Sequence, residues 1–178
     1  MRKWLPAVSR RPACAPTGSE VQVTVTALTE LPPVGELPAR MLAQVIRSDR
    51  LGDPTTAFQI EEIALPELGD HDVLIAVMAA GVNYNNVWAA RGYPIDVITT
   101  RTRAGDPHDF HIGGSDASGV VYAAGSAVTS VKVGEQVVVH PGYWDRDDPH
   151  VTRGRDPMLA ASASIWGYNT NFGSFAQF

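Results

Sequence analysis

Apolar and polar residues alternate over residues 58–65, "FQIEEIAL", and again over 21–30, "VQVTVTALTE". A period of two marks a half-buried strand. "MLAQVIRS" (41–48) is predicted as the first strand of a domain and 58–65 as the second, with a "GDP" turn between them. Residues 73–80, "VLIAVMAA", are apolar almost without a break, which predicts a central strand buried on both faces. The pattern then changes. Asn85 to Arg91 reads as a short helix with Val87, Trp88 and Ala90 as its apolar positions and Gly92 as its stop. Residues 93–111 carry no period and are expected to form an irregular loop. Strands are predicted at 117–125 and 136–140, and the polar stretch 144–157 reads as surface. The chain closes with "IWGYNTNFGSFAQF" (165–178), where aromatics alternate around glycines.

Short strands at this spacing, with few helices, predict a mainly β domain built as a partly open barrel. The proline-rich "LPPVGELP" (31–38) reads as a linker. Residues 1–40 are therefore expected to be a flexible leader and extended arm, and 41–178 the domain. The first 12 residues, "MRKWLPAVSRRP", are basic, but Pro6, Ser9 and Pro12 interrupt any apolar run. A signal peptide is not expected, the protein is expected in the cytoplasm, and residues 1 to about 20 are expected to be poorly ordered.

Composition narrows the function classes. The chain has 178 residues, 44% hydrophobic and 19% charged, which suits one domain with a real core. A net charge of −5 gives no reason to expect nucleic-acid binding. The single cysteine, Cys14, excludes an internal disulfide framework and a multi-cysteine zinc site. No run approaches the ~18 apolar residues that a membrane span needs.

Candidate chemistry sits at the boundaries. Asn83, Tyr84, Asn85 and Asn86 crowd the point where the apolar strand gives way to the helix. Asparagine is a poor strand former and a good helix cap, so the amides either punctuate the backbone or face a substrate. His108 and His111 have the i, i+3 spacing of a helical metal pair, but the glycines and the proline around them argue against a helix. Ser115, in "HIGGSDASG", lacks the Gly-x-Ser-x-Gly spacing of a nucleophile, which leaves a tight turn. His140 reads equally as a buried histidine or a cleft residue. Tyr168 and Asn169 read as a core aromatic followed by a turn amide.

Taken in order, the strings form a recognisable frame. "PELGDHDVLIAVMAAGVNYNNVW", "IGGSDASGVVYAAGSAVTSVKVGEQVVVHPG" and "GSFAQF" resemble the GroES-like catalytic domain of medium-chain dehydrogenase/reductases. Within that superfamily, "GVNYNNVWAARG", "HIGGSDASGVV" and "IWGYNTNFGSFAQF" are most similar to the crotonyl-CoA carboxylase/reductase family. The resemblance implies reductive carboxylation. NADPH delivers hydride to the β-carbon of an enoyl-CoA, and the enolate so formed attacks CO2 to give ethylmalonyl-CoA from crotonyl-CoA. It further implies acyl-CoA and CO2 as ligands and a homo-oligomer when complete, with no membrane or nucleic-acid partner.

The resemblance places a CO2-holding asparagine at Asn85, and the aromatic and acid of a second pocket segment at Tyr168 and Asn169. An amide stands where the family has an acid, which bears directly on carboxylation. The zinc alcohol dehydrogenases of the superfamily carry a cysteine and a Gly-His-Glu where this chain reads "GVNYNN" and "GGSD", so no catalytic zinc is expected. The Rossmann domain that would hold NADPH is expected in cis or in trans, since no Gly-x-Gly-x-x-Gly follows a strand here. On this reading the chain is a truncated oxidoreductase, inactive alone. Two alternatives stay open: part of a non-carboxylating NADPH enoyl or quinone reductase, and a stand-alone GroES-like binding domain.

Overall fold

A computed structural model describes residues 31–178; the predicted strand at 21–30 and the expected order of the first 20 residues lie outside the described residues. The architecture is mainly β, as the alternation predicts. β1 (Arg40–Arg47) pairs antiparallel with β2 (Gln59–Ala64) on one side and with β4 (Phe110–Ile112) on the other. β3 (Val73–Gly81), β5 (Asp116–Ala124) and β6 (Gln136–Val139) form a second sheet in that order, and β7 (Gly142–Tyr143) pairs with β8 (Ser164–Ile165).

Alternation places the core. Met41, Ala43 and Val45 of β1 point one way, and with Ile63, Leu74, Ala76, Ile112 and Tyr122 they fill the space between the two sheets. Ile46, next along the strand, points the other way. It packs with Ala57, Ala89, Ala90, Val97, Ile98 and Tyr168 in a second cluster under the helices. The end of the chain ties the sheets together. Gln44 donates its backbone N–H to the Phe175 carbonyl (2.7 Å), and Val77 on β3 donates to the Gln177 carbonyl (2.9 Å). "GSFAQF" therefore bridges β1 and β3, which partly closes a barrel. At the other end of the domain Leu31 packs on the core and the Tyr122 hydroxyl donates to the Pro32 carbonyl (2.9 Å).

Three local expectations need correction. β3 is an edge strand, not a central one, and only its first half is buried: Leu74 and Ala76 face the core, while Met78 is 71% exposed. β5 holds the central place. The exposed half of β3 lines an open groove of about 500 Å³ with Ile60, Val82 and Phe175. Residues 93–111 are not irregular. They contain a helix (Val97–Arg103) whose N-cap Asp96 accepts from Thr99 N–H at 2.9 Å, and then β4. The helix Tyr84–Arg91 begins and ends where its signals place it, with Gly92 left-handed (φ 61°) at its stop. Its buried residues, however, are Asn86, Ala89 and Ala90, while Trp88 is 38% exposed.

A charged cluster staples β1 to β2. Glu61 accepts from Arg47 (2.7 Å) and Arg50 (2.6 Å), and Arg47 also reaches Asp109 (3.4 Å). The Arg47 hydrogen bond, aided by Arg50, holds the Glu61 carboxyl below its ordinary range. Its stabilisation is present above the unfolded-state value and is lost as pH falls through the lower folded value. Glu61→Gln should therefore lower stability by about 1 kcal/mol at pH 7, a partly buried and doubly paired case of a charged hydrogen bond. The difference should shrink below pH 4, which urea unfolding of both proteins at the two pH values will measure.

Candidate functional site

The strand-to-helix switch separates the three asparagines by task. Asn83 is the N-cap of the helix Tyr84–Arg91: its Oδ1 accepts the Asn85 backbone N–H at 3.0 Å, and its Nδ2 donates to Asp116 Oδ2 at 2.5 Å. Asn86 is 3% exposed and turns inward, where its Oδ1 accepts the Gly114 N–H at 2.8 Å. Asn85 is half-buried, and its side-chain amide makes no hydrogen bond among the described residues. Two of the amides are thus backbone punctuation. The third keeps its donor pair and carbonyl without a partner among the described residues.

The second element of the site is the turn 165–170. The Ile165 carbonyl accepts from Tyr168 N–H (3.1 Å) and Asn169 N–H (2.9 Å). Tyr168 is 9% exposed and packs in the helix-side cluster. Its ring lies 6.4 Å from that of Trp88, which lies 5.4 Å from Tyr84. Asn85 precedes Trp88 and Ala89 by one turn of the same helix, the helix whose Trp88 ring neighbours Tyr168. Burial pushes the Tyr168 hydroxyl up from its ordinary value, so it stays a neutral phenol at pH 7. Asn169 is placed differently. It is exposed, and its Oδ1 accepts the Ile165 N–H at 2.9 Å, which closes the turn on itself.

The remaining candidates sort themselves. His108 and His111 do not form a pair. His108 Nδ1 sits 2.8 Å from Asp106 Oδ1 with its ring against Phe110 and Phe172, whereas His111 is fully buried on β4 beside the second cluster. No group of three or more His, Cys, Asp or Glu residues could hold a metal among the described residues. Ser115 is buried at the turn after Gly113 and Gly114, whose carbonyls accept from Phe175 N–H (3.0 Å) and Ser174 N–H (2.9 Å). His140 is exposed, with Nδ1 accepting from Gly142 N–H (3.1 Å). Sequence reasoning passed over Asp116, which reaches Asn83, and left open which of its two tasks Asn86 performs. The spacing of Asn86 from Ala89 and Ala90 already puts it on the inward face.

A dinucleotide pyrophosphate needs a helix N-terminus with free N–H groups. Each described α-helix begins at a residue whose own side chain takes that place: Asp53, Asn83, Asp96 and Asp148. Three of the four are acidic and would repel a phosphate. Among the described residues no α-helix N-terminus is left uncapped for a pyrophosphate.

The alcohol dehydrogenase GroES-like domain pattern matches residues 69–178. The chain belongs to that family. Within it, the chain is homologous to crotonyl-CoA carboxylase/reductases. It is 47% identical over 149 residues to the crotonyl-CoA carboxylase/reductase of Cereibacter sphaeroides, across 84% of this chain and 33% of the relative. It is 38% identical to a crotonyl-CoA reductase of Streptomyces avermitilis, across 73% of this chain and 31% of that protein. A solved crotonyl-CoA carboxylase/reductase in complex with NADP superposes with a TM-score of 0.78 at 49% identity, over 83% of this chain and 36% of that one. A 2-octenoyl-CoA carboxylase reductase in complex with NADP and 2-octenoyl-CoA gives a TM-score of 0.70 at 34% identity, over 80% of this chain and 35% of that one. The chain spans about a third of the length of the relatives it matches.

Proposed function

We propose that residues 41–178 form the CO2- and acyl-facing domain of an enoyl-CoA carboxylase/reductase. The observation that carries this is the half-buried Asn85 amide, which has no hydrogen-bond partner among the described residues, at the strand-to-helix switch on the helix whose Trp88 ring neighbours Tyr168. CO2 is small and apolar, so holding it takes a few fixed donors in a water-poor pocket. A neutral amide donates to a CO2 oxygen without offering a proton that would quench an enolate. Asn85 Nδ2 fills that role, and Tyr168 supplies an apolar wall. The enolate α-carbon then bonds to the CO2 carbon, one C–O π pair moves onto oxygen, and the product is a carboxylate. The reduction that generates the enolate belongs to a dinucleotide-binding domain in cis or in trans, with NADPH as cofactor. The exposed apolar end of β3 from Met78, with Val82 just after it, supports a surface that packs against a further domain.

Asn169 favours a second reading, reduction without carboxylation, because its amide is spent on the Ile165 turn and carries no charge. Both readings meet one experiment. The chain is joined to the dinucleotide-binding domain of a relative, and ethylmalonyl-CoA and butyryl-CoA are measured with crotonyl-CoA, NADPH and saturating CO2. Asn85→Ala should lower the carboxylated fraction about tenfold or more while NADPH oxidation changes little, since it removes one hydrogen bond to the CO2 carboxylate in formation. Asn169→Glu should raise that fraction. An unchanged ratio in both variants would defeat the pocket assignment. NADPH oxidation by the 178-residue chain alone would defeat the division of labour.

A further inference from the structure

We infer that Asp116 is a positioning residue that sets Asn85 through Asn83. The inference rests on the reading of Asn85 as the CO2-facing donor. An asparagine at an N-cap has two ends, and only the carbonyl oxygen caps. The wrong flip would turn Nδ2 toward the Asn85 N–H, donor against donor. Here the Asp116 carboxylate receives Asn83 Nδ2 at 2.5 Å, so Oδ1 must face the Asn85 N–H, which it accepts at 3.0 Å. The relay thus runs from carboxylate to amide to the first turn of the helix that carries Asn85.

The surrounding backbone is built to hold that carboxylate in place. Asp116 stands opposite Gly81 in the β3–β5 register, and a Cβ on Gly81 would lie 2.9 Å from the Asp116 Cβ. Glycine leaves the room through which the Asp116 side chain crosses to Asn83. From the other side, the Asp116 carbonyl accepts the Ser174 hydroxyl at 3.0 Å, and Ser174 is 2% exposed. Asp116 therefore links the switch after β3, the head of β5 and the "GSFAQF" segment. A carboxylate serves this better than a neutral acceptor, because a charged acceptor gives the shorter and stronger bond.

Two readouts test this. The first is backbone amide exchange in the 178-residue chain, measured by NMR. Asp116→Ala should speed exchange of the Asn85 N–H about fivefold, the loss of a typical cap, with exchange in β1 unchanged. Asp116→Asn keeps an acceptor oxygen and should restore most of the protection. Asn83→Asp separates positioning from plain capping. Aspartate caps as well as asparagine does, yet in this site it sets one carboxylate against another. Exchange at Asn85 should rise, and the double variant Asn83→Asp, Asp116→Asn should bring it back. Full protection in Asn83→Asp alone, or no change in Asp116→Ala, overturns the inference. The second readout is the ratio of carboxylated to reduced product in the chain joined to a dinucleotide-binding domain, where Asp116→Ala should lower the carboxylated fraction more than the rate of NADPH oxidation. If exchange responds and the ratio does not, the positioning stands and the CO2 reading of Asn85 fails.

Discussion

Gly167→Ala is expected to destabilise the domain by about 3 kcal/mol or more and to displace Tyr168. Gly167 has φ +70°, where an L side chain costs about 1–2 kcal/mol. A Cβ there would also collide with the Gly114 carbonyl oxygen and come 3.1 Å from the Gly173 Cα. These obstacles are backbone atoms already fixed by hydrogen bonds: Gly114 O accepts from Ser174, and Gly173 N–H donates to Ile112 O at 2.9 Å. No flexible side chain can yield, so the turn 165–170 must lift, at the typical overpacking cost of about 1–3 kcal/mol. Tyr168 would then leave the wall it shares with Trp88. Denaturant unfolding reads the first effect and the carboxylated fraction of the completed enzyme the second. A variant within ~0.5 kcal/mol of the parent would show that the turn is not packed as described.

The fold was largely legible because alternation is a local property. β1, β2, β5 and β6 lie within a residue or so of their expected places, and Gly92 stops its helix where a left-handed residue is needed. What was missed depends on tertiary context. The run 73–80 is apolar throughout, yet sequence cannot distinguish a strand covered on both faces from one whose far half is bare, as Met78 is. "VITTRTR" is rich in β-branched residues, which argues against helix, but Val97, Ile98 and Arg101 turn inward and Asp96 caps the start. With only two turns and no clear period, the segment read as a loop.

At the site, the crowd of asparagines was visible and its division of labour was not. Asn83 and Asn86 are spent on Asp116, Asn85 N–H and Gly114 N–H, partners 28 to 33 residues away except at the cap. A contact across that distance is set by the sheet register, in which Gly81 meets Asp116. The resemblance to carboxylase/reductases pointed to Asn85, Tyr168 and Asn169. Asn85 stands one turn before Trp88, whose ring neighbours that of Tyr168, and Asn169 is turned to solvent, closing its own turn.

Acid should unfold this domain earlier than its carboxylates alone would require, and His111 is the reason. The ring is fully buried, and neither nitrogen makes a hydrogen bond of good geometry. Burial, helped by the nearby Arg101 charge and opposed by the Gly167 carbonyl, lowers its pKa to about 3. The ordinary value for a free histidine is about 6.5. Because the folded value is the lower one, the unfolded chain binds the extra proton between them. Stability is complete above pH 6.5 and falls as pH drops toward 3, by at most ~1.4 kcal/mol per unit. Glu61, Asp106 and Asp148 are held below their ordinary values, so their stabilisation is lost only at lower pH. The window from pH 6.5 to 5 therefore separates the His111 contribution from that of these carboxylates. His111→Gln should cost about 1–2 kcal/mol at pH 7.5, the price of an imperfectly paired buried amide. It should also flatten the pH dependence in that window, so that the two stability curves converge toward pH 5. Urea midpoints at pH 7.5, 6 and 5 decide it: parallel curves would mean that His111 takes up its proton in the folded state and that the pocket behind Gly167 is open to water.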